Sequence, residues 1–451
     1  MGLSRRTLLK GAGTLPLLAA NFPAPVLAQS GSVTPPPPIL FVHGNGDHAA
    51  LWITTLWRME SNGVARDRMF AINFTDPLAR SDDGVAQANR SSTEDQRRAL
   101  AEAIKALKEK TGAPRVALVG NSRGGNAIRN YVKNGGAADV SHAVLCGTPN
   151  HGVYASDENP GNEFNGSGTF LRSLNDGDSE VTAGTAFITL RSDGLDKYAQ
   201  ADGRFVGKPG TPTNVTTEGP ALKGATNLVL GPVDHRETAY SPRAFREIYK
   251  FIAGREPERL EIVPEAQVKL SGLVTGTPGG VQTNRPVAAA TVEVFRVAPD
   301  TGERIGGAIQ TKQTGADGRW GPASVDPSWP LEIVLTSPGA TTTHFYRSPF
   351  PRSSDVVHLR AARALTPADS GAVVIMSRPR GYFGLPRDVV LLDGKEPTDV
   401  KPGVPTDSAT TLQLPADGVG RAVTALFNEE RIVARAWSAA ENRIAVAELT
   451  Y

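Results

Sequence analysis

The amino-acid sequence predicts an α/β domain on a reduced, mostly parallel sheet, followed by an all-β C-terminal region of sandwich or barrel type. Three observations carry this. Short continuous apolar runs bounded by Gly, Asn or Asp recur through the first 256 residues, the pattern of strands buried on both faces. Helical stretches with an apolar stripe separate some of these runs. After Gly254 the pattern changes to short alternating strands punctuated by Gly and Pro.

The chain opens with an address. Ser4-Arg5-Arg6-Thr7-Leu8-Leu9-Lys10 precedes a modest apolar stretch from Gly11 to Ala24 and the small-residue site Val26-Leu27-Ala28, so residues 1–28 read as a twin-arginine signal peptide cut after Ala28. The stretch is too short and too broken by Gly and Pro to span a bilayer. The expectation is a periplasmic or secreted protein that meets the twin-arginine export machinery and has no transmembrane anchor. Residues 29–37 are a proline-rich linker.

Residues 38–256 hold the α/β domain, with about six strands expected at 39–42, 69–74, 116–119, 143–146, 186–190 and 227–230. Between the second and third, a helix is expected from Thr93 to Lys110, with Thr93 and Gln96 as a capping box and Leu100, Ala103, Ile104 and Leu107 as its apolar stripe. A last helix starts at Ser241-Pro242, ends at Gly254, and buries Phe245, Ile248, Tyr249 and Ile252.

Chemistry concentrates at the ends of these strands. Gly120-Asn121-Ser122-Arg123-Gly124 follows an apolar run and precedes a helix, which puts Ser122 at the apex of a sharp strand-to-helix turn, a nucleophile elbow. Upstream, the first strand ends in His43-Gly44-Asn45, where a backbone N–H can face a developing oxyanion; Asn45 and Arg123 are the expected donors. Downstream, His235 lies on a loop after the last strand, in the order serine, acid, histidine. Two carboxylates follow the fifth strand. Asp193-Gly194 has the composition of a turn, and Asp196 better matches the reach needed to orient a histidine, with Asp193 as the alternative acid. His43 reads as structural, and no histidine spacing suggests a metal ligand set. No catalytic metal and no cofactor are expected.

These motifs, together with Gly147-Thr148-Pro149-Asn150-His151-Gly152, make residues 36–256 resemble the compact bacterial lipase and esterase branch of the α/β-hydrolase superfamily. The resemblance implies ester hydrolysis by Ser122, with His235 as base then acid and Asp196 as its partner. The short distance from linker to first strand leaves little room for the two antiparallel strands that open larger members. Arg123 departs from the smaller or apolar residue many lipases carry there, and its charge is expected at the site's mouth.

The rest bounds partners and substrate. Net charge is +2 from 48 basic and 46 acidic residues, which gives no reason to expect nucleic acid. The single cysteine, Cys146, reads as a buried strand residue. Residues 150–184, with Phe164 and Phe170, read as a small cap over Ser122, and 201–226 as a solvated loop. Residues 266–362 are expected as a β-sandwich accessory domain, similar to modules of carboxypeptidase-regulatory type. Residues 363–451 form a second β segment or domain. In Arg380-Gly381-Tyr382-Phe383-Gly384, the aromatic pair is expected either on a loop near the catalytic mouth that holds lipid or polymer, or as inward core residues of a β-barrel. The leading reading is an exported serine carboxylester hydrolase acting on lipid or small apolar esters. The alternatives are a polyester depolymerase and a non-catalytic surface-binding protein on a hydrolase scaffold.

Overall fold

In the computed structural model, residues 35–206, 210–213, 215–216 and 219–451 are described. The expected signal peptide, most of the expected linker and residues 207–209, 214 and 217–218 of the expected 201–226 loop lie outside them.

Six strands, β1 (Ile39–Val42), β2 (Met69–Ala71), β3 (Val116–Asn121), β4 (Val140–Cys146), β5 (Ala186–Ser192) and β6 (Thr226–Leu230), form one sheet ordered β2-β1-β3-β4-β5-β6. Every pairing in it is parallel. Because side chains alternate across a strand, Ile39 and Phe41 face one layer while Leu40 and Val42 face the other. The layer under Leu40 and Val42 is built by helices α2 (Thr93–Thr111) and α3 (Arg123–Lys133), which contribute Leu100, Ile104, Leu107 and Ile128. The opposite layer holds α1 (Ile53–Ser61) and α6 (Pro242–Ala253), with Leu56, Trp57, Phe245 and Ile248. Two short helices complete the domain, α4 (Thr169–Leu174) within the expected cap and α5 (Glu237–Tyr240) just after His235.

The α2 cap sits one residue earlier than the sequence suggests. Ser92 accepts from Asp95 N–H, and the Asp95 carboxylate returns a bond to the Ser92 N–H, so the box is Ser92/Asp95 and not Thr93/Gln96. Thr93 is instead held by Asp83, whose carboxylate accepts both its N–H and its hydroxyl at 2.7 Å. Helix α6 has the expected ends, Ser241 capping Ala244 N–H and Gly254 in the left-handed conformation.

The two expected C-terminal segments share one seven-stranded sheet. Thr342–Arg347 from the first pairs in parallel with Arg443–Glu448 from the second, which pairs in turn with Ala372–Ser377. Smaller three-stranded sheets flank it. The catalytic-type domain is welded to this region by a continuous apolar core in which Trp57 packs edge-on against Phe350, ring centroids 6.1 Å apart. The Trp57 indole N–H donates to the Ser353 carbonyl at 2.9 Å, and Asn284 donates to the carbonyls of Asp47 and Phe74.

Candidate active site

Ser122 stands at the turn between β3 and α3 with φ 52° and ψ −122°. A non-glycine residue there stores on the order of 1–3 kcal/mol and persists only when its surroundings force it. The forcing is visible at Gly124, where an added β-carbon would lie 2.5 Å from the carbonyl oxygens of Val42 and His43, so α3 starts pressed against the end of β1. At Gly44 a β-carbon would approach Ser122 Cβ to 3.0 Å. A side chain at position 44 would therefore crowd the serine and Asn121, and glycine lets the β1 loop approach them closely.

His235 and Asp196 arrive from the ends of β6 and β5. His235 Nδ1 lies 2.7 Å from Asp196 Oδ2, with both side chains buried. A carboxylate only accepts, so the proton sits on Nδ1 and Nε2 is left to act toward the cavity. Asp196 Oδ1 accepts Tyr198 N–H at 2.8 Å, and the Tyr198 ring stands edge-on to the imidazole with centroids 4.6 Å apart. The His235 carbonyl accepts from Thr238 Oγ1 at 2.6 Å and lies 3.5 Å from the Asn121 amide, tying it to α5 and the elbow. Asp193 is exposed in its turn, with its carboxylate against Gly231, and does not reach the histidine.

Ser122 and His235 line one cavity of about 270 Å³, shared with Asn45, Asp47, Phe164, Tyr198, Arg236 and Tyr382. Asn45 is exposed there, and its side chain is fixed by accepting Ala79 N–H at 2.8 Å. Arg123 occupies the first position of α3, where a backbone N–H has no intrahelical acceptor.

The side chain of Arg123 corrects one expectation. It is not at the mouth but fully buried, paired with Glu163 from the 150–184 segment at 2.6 Å. Its Nη1 donates to Pro77 O and Ser91 Oγ, its Nη2 to Ser91 O and Glu163, and its Nε to Glu163, so the whole guanidinium is satisfied. Burial pushes the Glu163 carboxyl up from its ordinary range while Arg123 pulls it back. The pair pins the segment whose Val153, Asn162 and Phe164 wall the cavity.

The structure separates the other expected contacts. Phe164 and Tyr382 line the cavity, whereas Phe170 lies half-buried on α4 outside it. Phe383 is a core residue, 1% exposed and packed against Phe427 at 5.8 Å. Tyr382 is also buried, its ring under the Lys197 ammonium at 4.1 Å, so this loop is no exposed aromatic platform. Sequence reasoning missed Tyr198, Arg236 and Asp234. All three had a signal in adjacency, Tyr198 within the Asp196 loop and Asp234 and Arg236 on either side of His235.

His43 is structural. Its Nε2 accepts Phe74 N–H at 3.1 Å, its Nδ1 lies 2.8 Å from Gly44 O, and burial lowers its pKa. Cys146 is buried on β4, which raises its thiol pKa. Among the described residues no cluster of three or more His, Cys, Asp or Glu is arranged to hold a metal ion, and no helix is long and apolar enough to cross a membrane.

A parallel sheet carrying a strained serine elbow after β3, with an acid and a histidine after β5 and β6, is the architecture of the α/β-hydrolase fold. Residues 36–189 match the family model of lipase (class 2), and residues 266–364 match that of the lipase C-terminal domain. Among solved structures the chain is similar to Aspergillus fumigatus lipase B, at 15% identity and TM-score 0.36, over 49% of this chain and 53% of that one. The chain therefore spans about half the length of that relative. It is similar also to the mature form of Bacillus licheniformis lipase BlEst2, at 20% identity and TM-score 0.36, over 49% of this chain and 93% of that one. Phospholipase PlaB from Legionella pneumophila matches at 12% identity and TM-score 0.32, over 73% and 94%. Among curated proteins no sequence matches the chain.

Proposed function

We propose that this protein is an exported serine carboxylester hydrolase of the lipase and esterase type. The observation that carries the reading is the 2.7 Å contact from His235 Nδ1 to Asp196, with His235 and Ser122 opening onto the same cavity. In the proposed reaction His235 Nε2 takes the Ser122 hydroxyl proton as Oγ attacks the ester carbonyl. The tetrahedral oxyanion is met by the N–H groups of Asn45 and Arg123. Collapse expels the alcohol, which receives the proton from His235, and a water activated by the same ring then frees the acid from the acyl-enzyme. Asp196 holds the ring's tautomer and offsets the imidazolium charge.

The cavity of about 270 Å³ lies just below the usual ligand-pocket range of roughly 300–1,000 Å³, which favours short acyl chains. The buried position of Tyr382 and Phe383 removes the exposed aromatic surface on which a polymer-binding role would rest. Export to the periplasm or beyond is part of the proposal and rests on Arg5, Arg6 and the site at Ala28 alone.

The test is a series of p-nitrophenyl esters of increasing acyl length, run on the native chain, Ser122→Ala, His235→Ala and the double variant. Each single change is expected to lower kcat by about a thousandfold or more, and the double change to add little, because the residues act as one unit. Near-native turnover by Ser122→Ala refutes the serine mechanism.

A further inference from the structure

The loop that carries His235 is gripped from the C-terminal β region. Asp234, the residue before it, is fully buried, and both of its carboxylate oxygens are engaged. Oδ1 accepts the backbone N–H groups of Arg236 at 2.8 Å and Glu237 at 2.9 Å. Oδ2 accepts the N–H of Tyr382 at 2.8 Å and an Nη1–H of Arg378 at 3.2 Å. Arg378 also donates from Nη2 to Glu237 Oε1 at 2.6 Å, from Nη1 to the Tyr382 carbonyl at 2.5 Å, and from Nε to the Tyr451 carbonyl at 3.0 Å. Arg387 donates to the other Glu237 oxygen at 2.7 Å. Two carboxylates that flank His235 in sequence are thus held by two arginines from a region more than 140 residues downstream.

We propose that Arg378 is a positioning residue for His235. Its guanidinium, clamped between Asp234 and Glu237, fixes the backbone on either side of the histidine and so the aim of the ring at Ser122. This makes the C-terminal β region a working part of the active site and not an accessory to it. The proposal rests on His235 serving as the base for Ser122. Asp196 and Thr238 tether only the ring and the carbonyl of His235, and among the described residues the other cation near Asp234, Arg387, lies farther off at 3.9 Å. A fork that bridges two carboxylates sets a direction, which a point charge does not. Without it the backbone that carries the ring loses its hold on the C-terminal side of the cleft, and a displacement on the order of 1 Å at a reacting group costs about a hundredfold in rate.

The test uses the full chain with Arg378→Met, Arg378→Lys, Asp234→Asn and His235→Ala. Steady-state hydrolysis of p-nitrophenyl acetate is measured beside the rate at which a p-nitrophenyl phosphonate ester labels Ser122. Circular dichroism and the melting temperature confirm the fold at the assay temperature. Folded Arg378→Met is expected to lose on the order of a hundredfold in both kcat and labelling rate, with KM within about threefold of the native value. Arg378→Lys is expected to recover about tenfold of that loss, because it restores the charge without the fork. A folded Arg378→Met with native kcat and labelling rate overturns the proposal. Should that variant not fold, Asp234→Asn decides: it keeps the Oδ1 bonds and removes the anion that faces Arg378, and native kcat in it also overturns the proposal. His235→Ala that labels at the native rate brings down the reading of His235 as base, an outcome separate from any result at Arg378.

Discussion

Replacing Glu163 by alanine removes the carboxylate that faces the buried Arg123 guanidinium, one residue past the proposed nucleophile. Arg123 is 0% exposed and Glu163 3%, so the cation has no route to water once its partner is gone. Its Nε and one Nη2 hydrogen lose their acceptors, while Pro77 O, Ser91 O and Ser91 Oγ still hold the rest. Breaking a buried pair from one side costs about 3–5 kcal/mol, because a desolvated charge is left uncompensated. The measurement is equilibrium urea unfolding at pH 7, followed by the fluorescence of the buried Trp52 and Trp57. An internal comparison is Glu94→Ala, which breaks the exposed bond to Arg97 in α2 and should cost less than about 1 kcal/mol. Because Glu163 precedes Phe164 in the cavity wall, kcat should fall in the same variant. If Glu163→Ala costs no more than Glu94→Ala, the pair does not anchor the segment and the account of Arg123 is wrong.

Three further outcomes are expected. Asp196→Asn should lower kcat by about 10⁴-fold through the wrong imidazole tautomer, whereas Asp193→Asn, altering an exposed turn, should stay within about threefold; a reversed order in the same p-nitrophenyl assay moves the acid to Asp193. Phe383→Ala should destabilise by about 3–5 kcal/mol as a cavity opens beside Phe427, while Tyr382→Phe should leave the urea midpoint within error and report on the site through KM. Burial holds His358 near a pKa of about 3, below its unfolded value of 6.5, so the unfolded chain takes up a proton first as pH falls. Its contribution is intact above pH 6.5 and is lost below it at up to about 1.4 kcal/mol per pH unit, ceasing near pH 3. His358→Gln should flatten that limb of the urea midpoint against pH, and an unchanged limb refutes the assignment.

The sheet was readable because a parallel strand buried on both faces is a continuous apolar run, as in Ile39-Leu40-Phe41-Val42, whose four residues are all buried. The elbow was readable because its constraint is local, glycine at two fixed offsets from Ser122. Helix α1 was not: it is only nine residues long, and its polar Thr54, Thr55 and Arg58 are buried along with the apolar residues, so composition did not mark which face packs. The aromatic pair stood between a binding and a core reading because Tyr382 and Phe383 are neighbours in sequence, yet one lines the site and the other a core, and only the fold around them distinguishes the two. Arg123 failed because an arginine beside a nucleophile says nothing of a glutamate 40 residues on. The clamp at Asp234 lies further still from local signals, since its partners are 144 and 148 residues away.

The seam around Trp57 bears on where this protein can be cut. Phe350, Ser353 and the strands beyond them supply one wall of the core that also contains Ile39, Phe41 and Phe245. A chain ended after Gly254 would therefore leave an indole, its unbonded N–H and a broad apolar face to water, the sort of surface that drives self-association. The border near Gly254 between the α/β domain and the β-rich region, plain in composition, is consequently no border for folding. Both sides should melt as one cooperative transition, and isolated halves should be recovered as aggregates.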